Sequence, residues 1–199
     1  KFFSENRMPV SYEDVSPAFW NALIDTEDER FRSHNGIDYQ AFGAALKDYV
    51  MHRDARGAST ITQQLAKNLF RVRTQYSTGL LGNIPGLKML IMKSKEWITA
   101  YKLEFNFSKN EILTMYANTV DFGSNAFGIK TAARTYFGTT PDKLTSEQAA
   151  VLVGLLKATT YYNPRINSKN SLARRNVVRD LVRKHGHLTK EECDSLKQI

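Results

Sequence analysis

The chain has 199 residues, with 28 Lys and Arg against 20 Asp and Glu, a formal net charge of +8, and 42% hydrophobic residues. That is enough apolar material for one ordinary globular domain, or two small lobes sharing a core, and it excludes a disordered tail; 11 Gly and 5 Pro exclude a collagen-like or low-complexity chain. The single Cys193 excludes an internal disulfide and a cysteine zinc site, so stability must come from packing.

The N-terminus, Lys1-Phe2-Phe3-Ser4, has neither an initiator Met nor an apolar signal core and reads as the start of an excised domain, with any anchor upstream. Residues 1–46 carry four basic and eight acidic side chains. Five of the first fifty residues form the run Asp25-Thr26-Glu27-Asp28-Glu29, followed by Phe31, His34 and Gly36. Crowded carboxylates beside an apolar wall raise one another's proton affinity, which can hold one member as a general base near neutral pH, with His34 to orient it. A charge cap on a helix N-terminus has the same composition.

The charge then reverses, with eleven basic and four acidic side chains in residues 47–109. Between 55 and 95 stand Arg56, Lys67, Arg71, Arg73, Lys88, Lys93 and Lys95, and no carboxylate. Such a segment suits an anionic partner, and a solvated basic face looks the same. After Gly57, Ser59 or Thr60 is placed to cap a helix with Ile61, Leu65 and Leu69 as its buried stripe and Gln63, Lys67 and Arg71 on another face. Cations just past the positive end of a helix can serve an anion, although an ordinary amphipathic helix also fits. Residues 74–92, with three Gly and one Pro among leucines and no acid, read as an apolar loop or half-helix, packed internally or laid on a membrane surface. Glu96 follows, a lone carboxylate among Lys93, Lys95 and Lys102.

Further on the chain reads as helix. Ser108 with Glu111, and Thr145 with Gln148, are capping boxes that open apolar runs at Ile112, Leu113 and Tyr116 and at Ala149, Leu152, Val153 and Leu156. Thr189 with Glu192 repeats the signal. The longest apolar stretch, Ala149 to Leu156, is far short of the roughly 18 residues of a membrane helix. Two-residue alternation is scarce, which argues against a large sheet. From 157 to 199 there are ten basic and four acidic residues, and Arg174, Arg175, Arg179 and Arg183 at near-helical spacing predict a solvated basic helix.

Five groups of residues in one order give the chain a resemblance. They are Glu27-Asp28-x-x-Phe31-x-x-His34-x-Gly36; Gly57-Ala58-Ser59-Thr60-Ile61-Thr62-Gln63-Gln64-Leu65-Ala66-Lys67-Asn68; and Lys93-x-x-Glu96. Then come Asn110-Glu111-Ile112-Leu113-x-x-Tyr116-x-Asn118, with Phe122-Gly123, Gly128-Ile129 and Tyr136-Phe137-Gly138 after it, and Glu147-Gln148-Ala149-Ala150-x-Leu152-x-Gly154. Over roughly residues 9–165 the chain closely resembles the peptidoglycan glycosyltransferase domain, glycosyltransferase family 51, of class A penicillin-binding proteins and monofunctional glycosyltransferases.

The resemblance implies a mainly α, lysozyme-like, bilobed fold: a globular head and a smaller membrane-facing jaw. Here that is one glycosyltransferase domain over 1–199, with the jaw at about 70–95 and a basic linker-helix region at about 165–199. It implies polymerisation of lipid II into β-1,4-linked glycan with inversion at the MurNAc anomeric carbon and release of undecaprenyl pyrophosphate. Glu27 matches the general base and Glu96 the second essential glutamate. Lys67, Arg73 and Lys93 match cations for the pyrophosphate, while Ser59, Thr60, Gln63, Gln64, Asn68, Asp28 and His34 match positions that hold substrate. Two departures stand out: Met92 occupies the place of a customary Arg, and the stretch from Arg73 to Lys93 is longer than usual, which implies an enlarged jaw segment.

No cofactor is expected to be tightly bound, although a divalent cation, Mg or Mn, can bridge the substrate pyrophosphate, and no dedicated metal cage is legible. The implied partners are lipid II, the growing glycan strand, an anionic membrane surface rather than nucleic acid, other cell-wall synthesis proteins, and a transpeptidase domain in the same parent chain. The implied place is the extracytoplasmic face of a bacterial cytoplasmic membrane. A muramidase or lytic transglycosylase of the same fold is the alternative. Hydrolysis needs a general acid for a sugar leaving group and no cationic pyrophosphate site, so the Gln63-Gln64-x-x-Lys67-Asn68 helix favours synthesis. A non-enzymatic basic domain would leave the carboxylates without a task.

Overall fold

A computed structural model describes residues 8–51, 57, 59–70 and 87–195. These are helical, and the described residues contain no strand, only an isolated antiparallel bridge between Asp121 and Phe127. The chain divides into two compact units, Lys1–Glu29 with Ala117–Ile199, and Arg30–Tyr116.

The first unit is built on α1 (Pro17–Glu27), α6 (Ile129–Phe137), α7 (Ser146–Leu156), α8 (Ser168–Lys184) and α9 (Lys190–Ser195). Ser16 caps α1 by accepting from the Ala18 amide at 3.3 Å, and Pro17 suits a first-turn position that needs no donor. Thr145 and Gln148 close the predicted capping box at the start of α7. That helix is apolar all round, as a helix enclosed by others must be. It packs on both α1 and α8, and Ala149, Leu152, Val153 and Leu155 are fully buried. Each such leucine contributes about 1.5–3 kcal/mol of burial.

The expected solvated basic helix is corrected here. Arg175 and Arg179 of α8 are buried, at 7% and 2% exposure, because α8 packs on α7 and α1. Residues 168–184 form α8, which packs on α7 and α1 within the first unit.

The second unit holds α2 (Tyr39–Val50), α3 (Ile61–Phe70), α4 (Leu87–Asn106) and most of α5 (Lys109–Thr119). Thr60 caps α3, accepting from the Gln63 amide at 3.1 Å. Ile61 and Leu65 are fully buried against α4, but Leu69 is exposed, so the predicted stripe stops one turn early. Residues 87–92 open α4 and are not loop. The jaw expectation for 71–86, and Arg73 with it, lies outside the described residues. Ser108 and Glu111 form the capping box at α5, where Ile112, Leu113 and Tyr116 are fully buried.

Asp38 caps α2 through the Ala41 amide at 2.9 Å and pairs with Arg30 Nε at 2.8 Å. Burial alone would raise its carboxyl, but the Ala41 amide, the Arg30 hydrogen bond and charge, and His34 outweigh that and hold it below the ordinary aspartate range. A depressed folded-state value contributes stability that is present above the ordinary value of about 3.9 and is lost as pH falls through the folded one. Asp38→Asn should therefore lower Tm at neutral pH, and the difference from wild type should close in acid; a difference constant down to about pH 2 would contradict the pairing.

Candidate active site

The second unit brings four of the sequence-selected residues onto one ammonium. Lys93, in the second turn of α4, donates from Nζ to Ser59 Oγ at 2.9 Å, Gln63 Oε1 at 3.0 Å and Glu96 Oε2 at 3.0 Å. These three acceptors match the three donors of an ammonium. Glu96 is reached within α4 by its i,i+3 spacing and is 1% exposed, while Ser59 and Gln63 come from the start of α3, packed alongside.

The Gly36 carbonyl fixes the same end of α3. It accepts from Thr60 Oγ1 at 2.7 Å and Gln63 Nε2 at 3.1 Å. Gly36 has φ +87°, and a Cβ there would stand 3.0 Å from the Ala100 carbonyl of α4, so both its conformation and the close approach require glycine. The Gly36 amide donates to His34 Nδ1 at 3.1 Å, which occupies that nitrogen in shaping the turn. Gln64 accepts from the Tyr116 hydroxyl at 2.9 Å, whereas Lys67 and Asn68, one turn further along α3, face solvent.

One network escaped the sequence reading. Lys109 pairs with Glu104 at 2.7 Å, donates to the His34 carbonyl at 2.6 Å and lies 4.4 Å from the centre of the Phe31 ring. Thr62 donates to Glu104 at 2.6 Å. Phe31 and His34 therefore have an anchoring task in this turn. The spacing of Lys109 to residues 31 and 34 gives no local signal for it.

In the first unit the acid run ends a helix and does not begin one. Glu27 is the last residue of α1 and half-buried, with Asp28 as the C-cap, buried at 7%. Carboxylates are unfavourable at the negative end of a helix, so the N-terminal charge-cap alternative is corrected. Two imidazoles offset the placement. His187 Nδ1 lies 2.7 Å from the buried Asp25, and His185 lies 3.7 Å from Asp25 and 3.3 Å from Glu29. Neither histidine carried a sequence signal, because both follow α8 and reach α1 only through its packing on α8.

The first unit thus holds a half-buried glutamate at the end of α1, and the second an ammonium fixed beside a buried carboxylate. The description of the matching family is Transglycosylase, over residues 1–183. The chain belongs to the transglycosylase family. This transglycosylase domain is 35% identical over 198 residues to penicillin-binding protein 1A of Escherichia coli strain K12, covering 99% of the chain and 22% of that protein. It is 38% identical over 198 residues to penicillin-binding protein 1A/1B of Bacillus subtilis strain 168, covering 98% of the chain and 20% of that protein. The crystal structure of penicillin-binding protein 1A from Haemophilus influenzae matches with a TM-score of 0.56 at 23% identity, over 97% of the chain and 17% of that one, which shows the fold. The domain thus spans roughly a fifth of the length of these relatives. Among its described residues no helix is long and apolar enough to cross a membrane.

Proposed function

We propose that this transglycosylase domain is a peptidoglycan glycosyltransferase that polymerises lipid II. The observation that carries the reading is the Lys93 cluster, an ammonium fixed by Ser59, Gln63 and Glu96 in a domain of this family. A departing lipid pyrophosphate carries two to three negative charges, roughly, and preorganised cations stabilise charge that develops on it. Lys93, Lys67 and Arg73 supply them. Ser59, Thr60, Gln63, Gln64 and Asn68 position pyrophosphate oxygens and sugar hydroxyls, and Asp28 and His34 also hold substrate.

Glu27 takes the proton from the acceptor GlcNAc 4-hydroxyl as that oxygen attacks the donor's MurNAc anomeric carbon. The C–O bond to the α-linked pyrophosphate breaks, a β-1,4 bond forms, and the centre inverts. Glu96 keeps Lys93 in place for the leaving group. Among the described residues no group of three or more His, Cys, Asp and Glu side chains stands together to hold a metal ion. A Mg or Mn ion would enter on the pyrophosphate.

The exposed Tyr39, Leu46 and Met51 of the α2 region and Ile98, Tyr101 and Phe105 of α4 support contact with a membrane surface at the extracytoplasmic face, where lipid II is presented. The length of the relatives supports a longer parent with a transpeptidase domain. The test is incubation with labelled lipid II: the expected product is a lysozyme-sensitive polymer, blocked by the phosphoglycolipid moenomycin. Release of fragments from preformed glycan without polymer would favour the muramidase reading. In the same assay Lys67→Ala should lower turnover by about 10²–10³-fold, the loss seen when one preorganised charge stabiliser is removed. An unchanged rate would take Lys67 out of the pyrophosphate role.

A further inference from the structure

The reaction proposed above leaves one buried charge unused. Arg179 of α8 is 2% exposed, and its Nε and Nη1 have no hydrogen-bond partner. Among the described residues no carboxylate pairs with it. Asp25 is taken by His187 and His185, and Glu147 leaves its own buried Oε1 without a partner. A guanidinium enclosed in this way loses its water shell and regains nothing for those two donors, which is why buried charges are ordinarily paired.

Arg179 is one of the residues lining a cavity of about 170 Å³ within the first unit. Asn21, Ser146 and His187 supply the other polar walls, and Ala18 and Val182 part of the apolar one. Asn21 and Ser146 carry side-chain donors that can turn toward an acceptor. Ser146 opens α7 and Ala18 lies in the first turn of α1, so two helices bring their positive ends to the cavity wall. An unpaired buried cation and two positive helix ends at the wall of a space of this size favour an anionic guest.

We infer that this cavity is a binding site for a small oxyanion of the carboxylate or phosphate class, held by Arg179. The guest offsets the buried charge of Arg179 and ties α1, α7 and α8 together. It is distinct from the pyrophosphate site, which draws its cations from the other unit.

The test is thermal unfolding of the 199-residue chain in phosphate or acetate, at constant ionic strength balanced with chloride, against the Arg179→Leu variant. Leucine suits a buried position and removes the unpaired charge, so the variant should fold with a Tm at or above wild type in chloride. Near ten times the dissociation constant the guest should raise the wild-type Tm by about 3 °C and leave the variant unmoved. A shift with phosphate alone marks a tetrahedral guest, and with acetate alone a planar carboxylate. Equal shifts in both proteins, or none in either, overturn the site. Crystals soaked in bromide decide the matter independently of the variant: an anomalous peak beside the Arg179 guanidinium supports the site, and water alone in the cavity overturns it.

Discussion

Replacing Glu27 by glutamine should abolish lipid II polymerisation while the domain stays folded. The amide keeps the size and polarity of the side chain but cannot accept the acceptor hydroxyl's proton, and a positioned general base contributes about 10²–10⁴-fold. Glu27 is half-buried as the last residue of α1, where the helix presents its negative end beside Asp25, Asp28 and Glu29. Removing one negative charge from that end relieves a helix-dipole repulsion of about 0.3–1 kcal/mol, so the fold should survive the substitution. A folded Glu27→Gln protein that still makes glycan at near the wild-type rate would falsify the base assignment. A variant that loses activity together with Tm would point instead to a structural role for Glu27.

The placement of Glu27 also explains the two histidines beyond α8. Four carboxylates in five residues at the wrong end of a helix repel one another and the helix dipole, a conflict natural sequences tolerate where function requires it. His185 and His187 meet two of the four, Asp25 and Glu29. Glu27 itself is the member for which the proposed chemistry has a use.

Much of the fold was legible because helix starts are local chemistry. All three capping boxes, at Ser108, Thr145 and Thr189, form as their spacing predicts, and Thr60 caps α3. What was not legible depends on neighbours distant in sequence. Arg175 and Arg179 have the spacing of a solvated face, yet α7 and α1 cover them. Leu69 has the spacing of a buried stripe and is exposed. The acid run has the composition of a helix start, but Ser16-Pro17 already supplies the start of α1, which puts the run at that helix's end. For the site, the i,i+3 spacing of Lys93 and Glu96 announces a pair, but only the packing of α3 on α4 brings Ser59 and Gln63 to it. The family motifs selected those residues; their spacing alone left a solvated amphipathic helix equally open.

The Lys93–Glu96 pair should behave as one unit. All three donors of Lys93 are engaged, so an incoming pyrophosphate must exchange for at least one protein acceptor, and a neutral one such as Ser59 or Gln63 is cheaper to release than the Glu96 carboxylate. Lys93→Ala removes the ammonium that faces a carboxylate only 1% exposed. The fully buried limit for breaking such a pair is about 3–5 kcal/mol. The Lys93 side chain is 23% exposed, so we expect less, about 1–3 kcal/mol, and a Tm lower by several degrees. Glu96→Gln on that background should restore part of the loss, because an amide is less costly to bury than a carboxylate that has lost its ammonium. Polymerisation should fall about 10²–10³-fold in Lys93→Ala, and the double variant should be little worse, since Glu96 acts by holding Lys93. Effects of the two substitutions that multiply in rate and add in Tm would mean that each glutamate–lysine partner acts alone, and Glu96 would then need a direct contact with substrate.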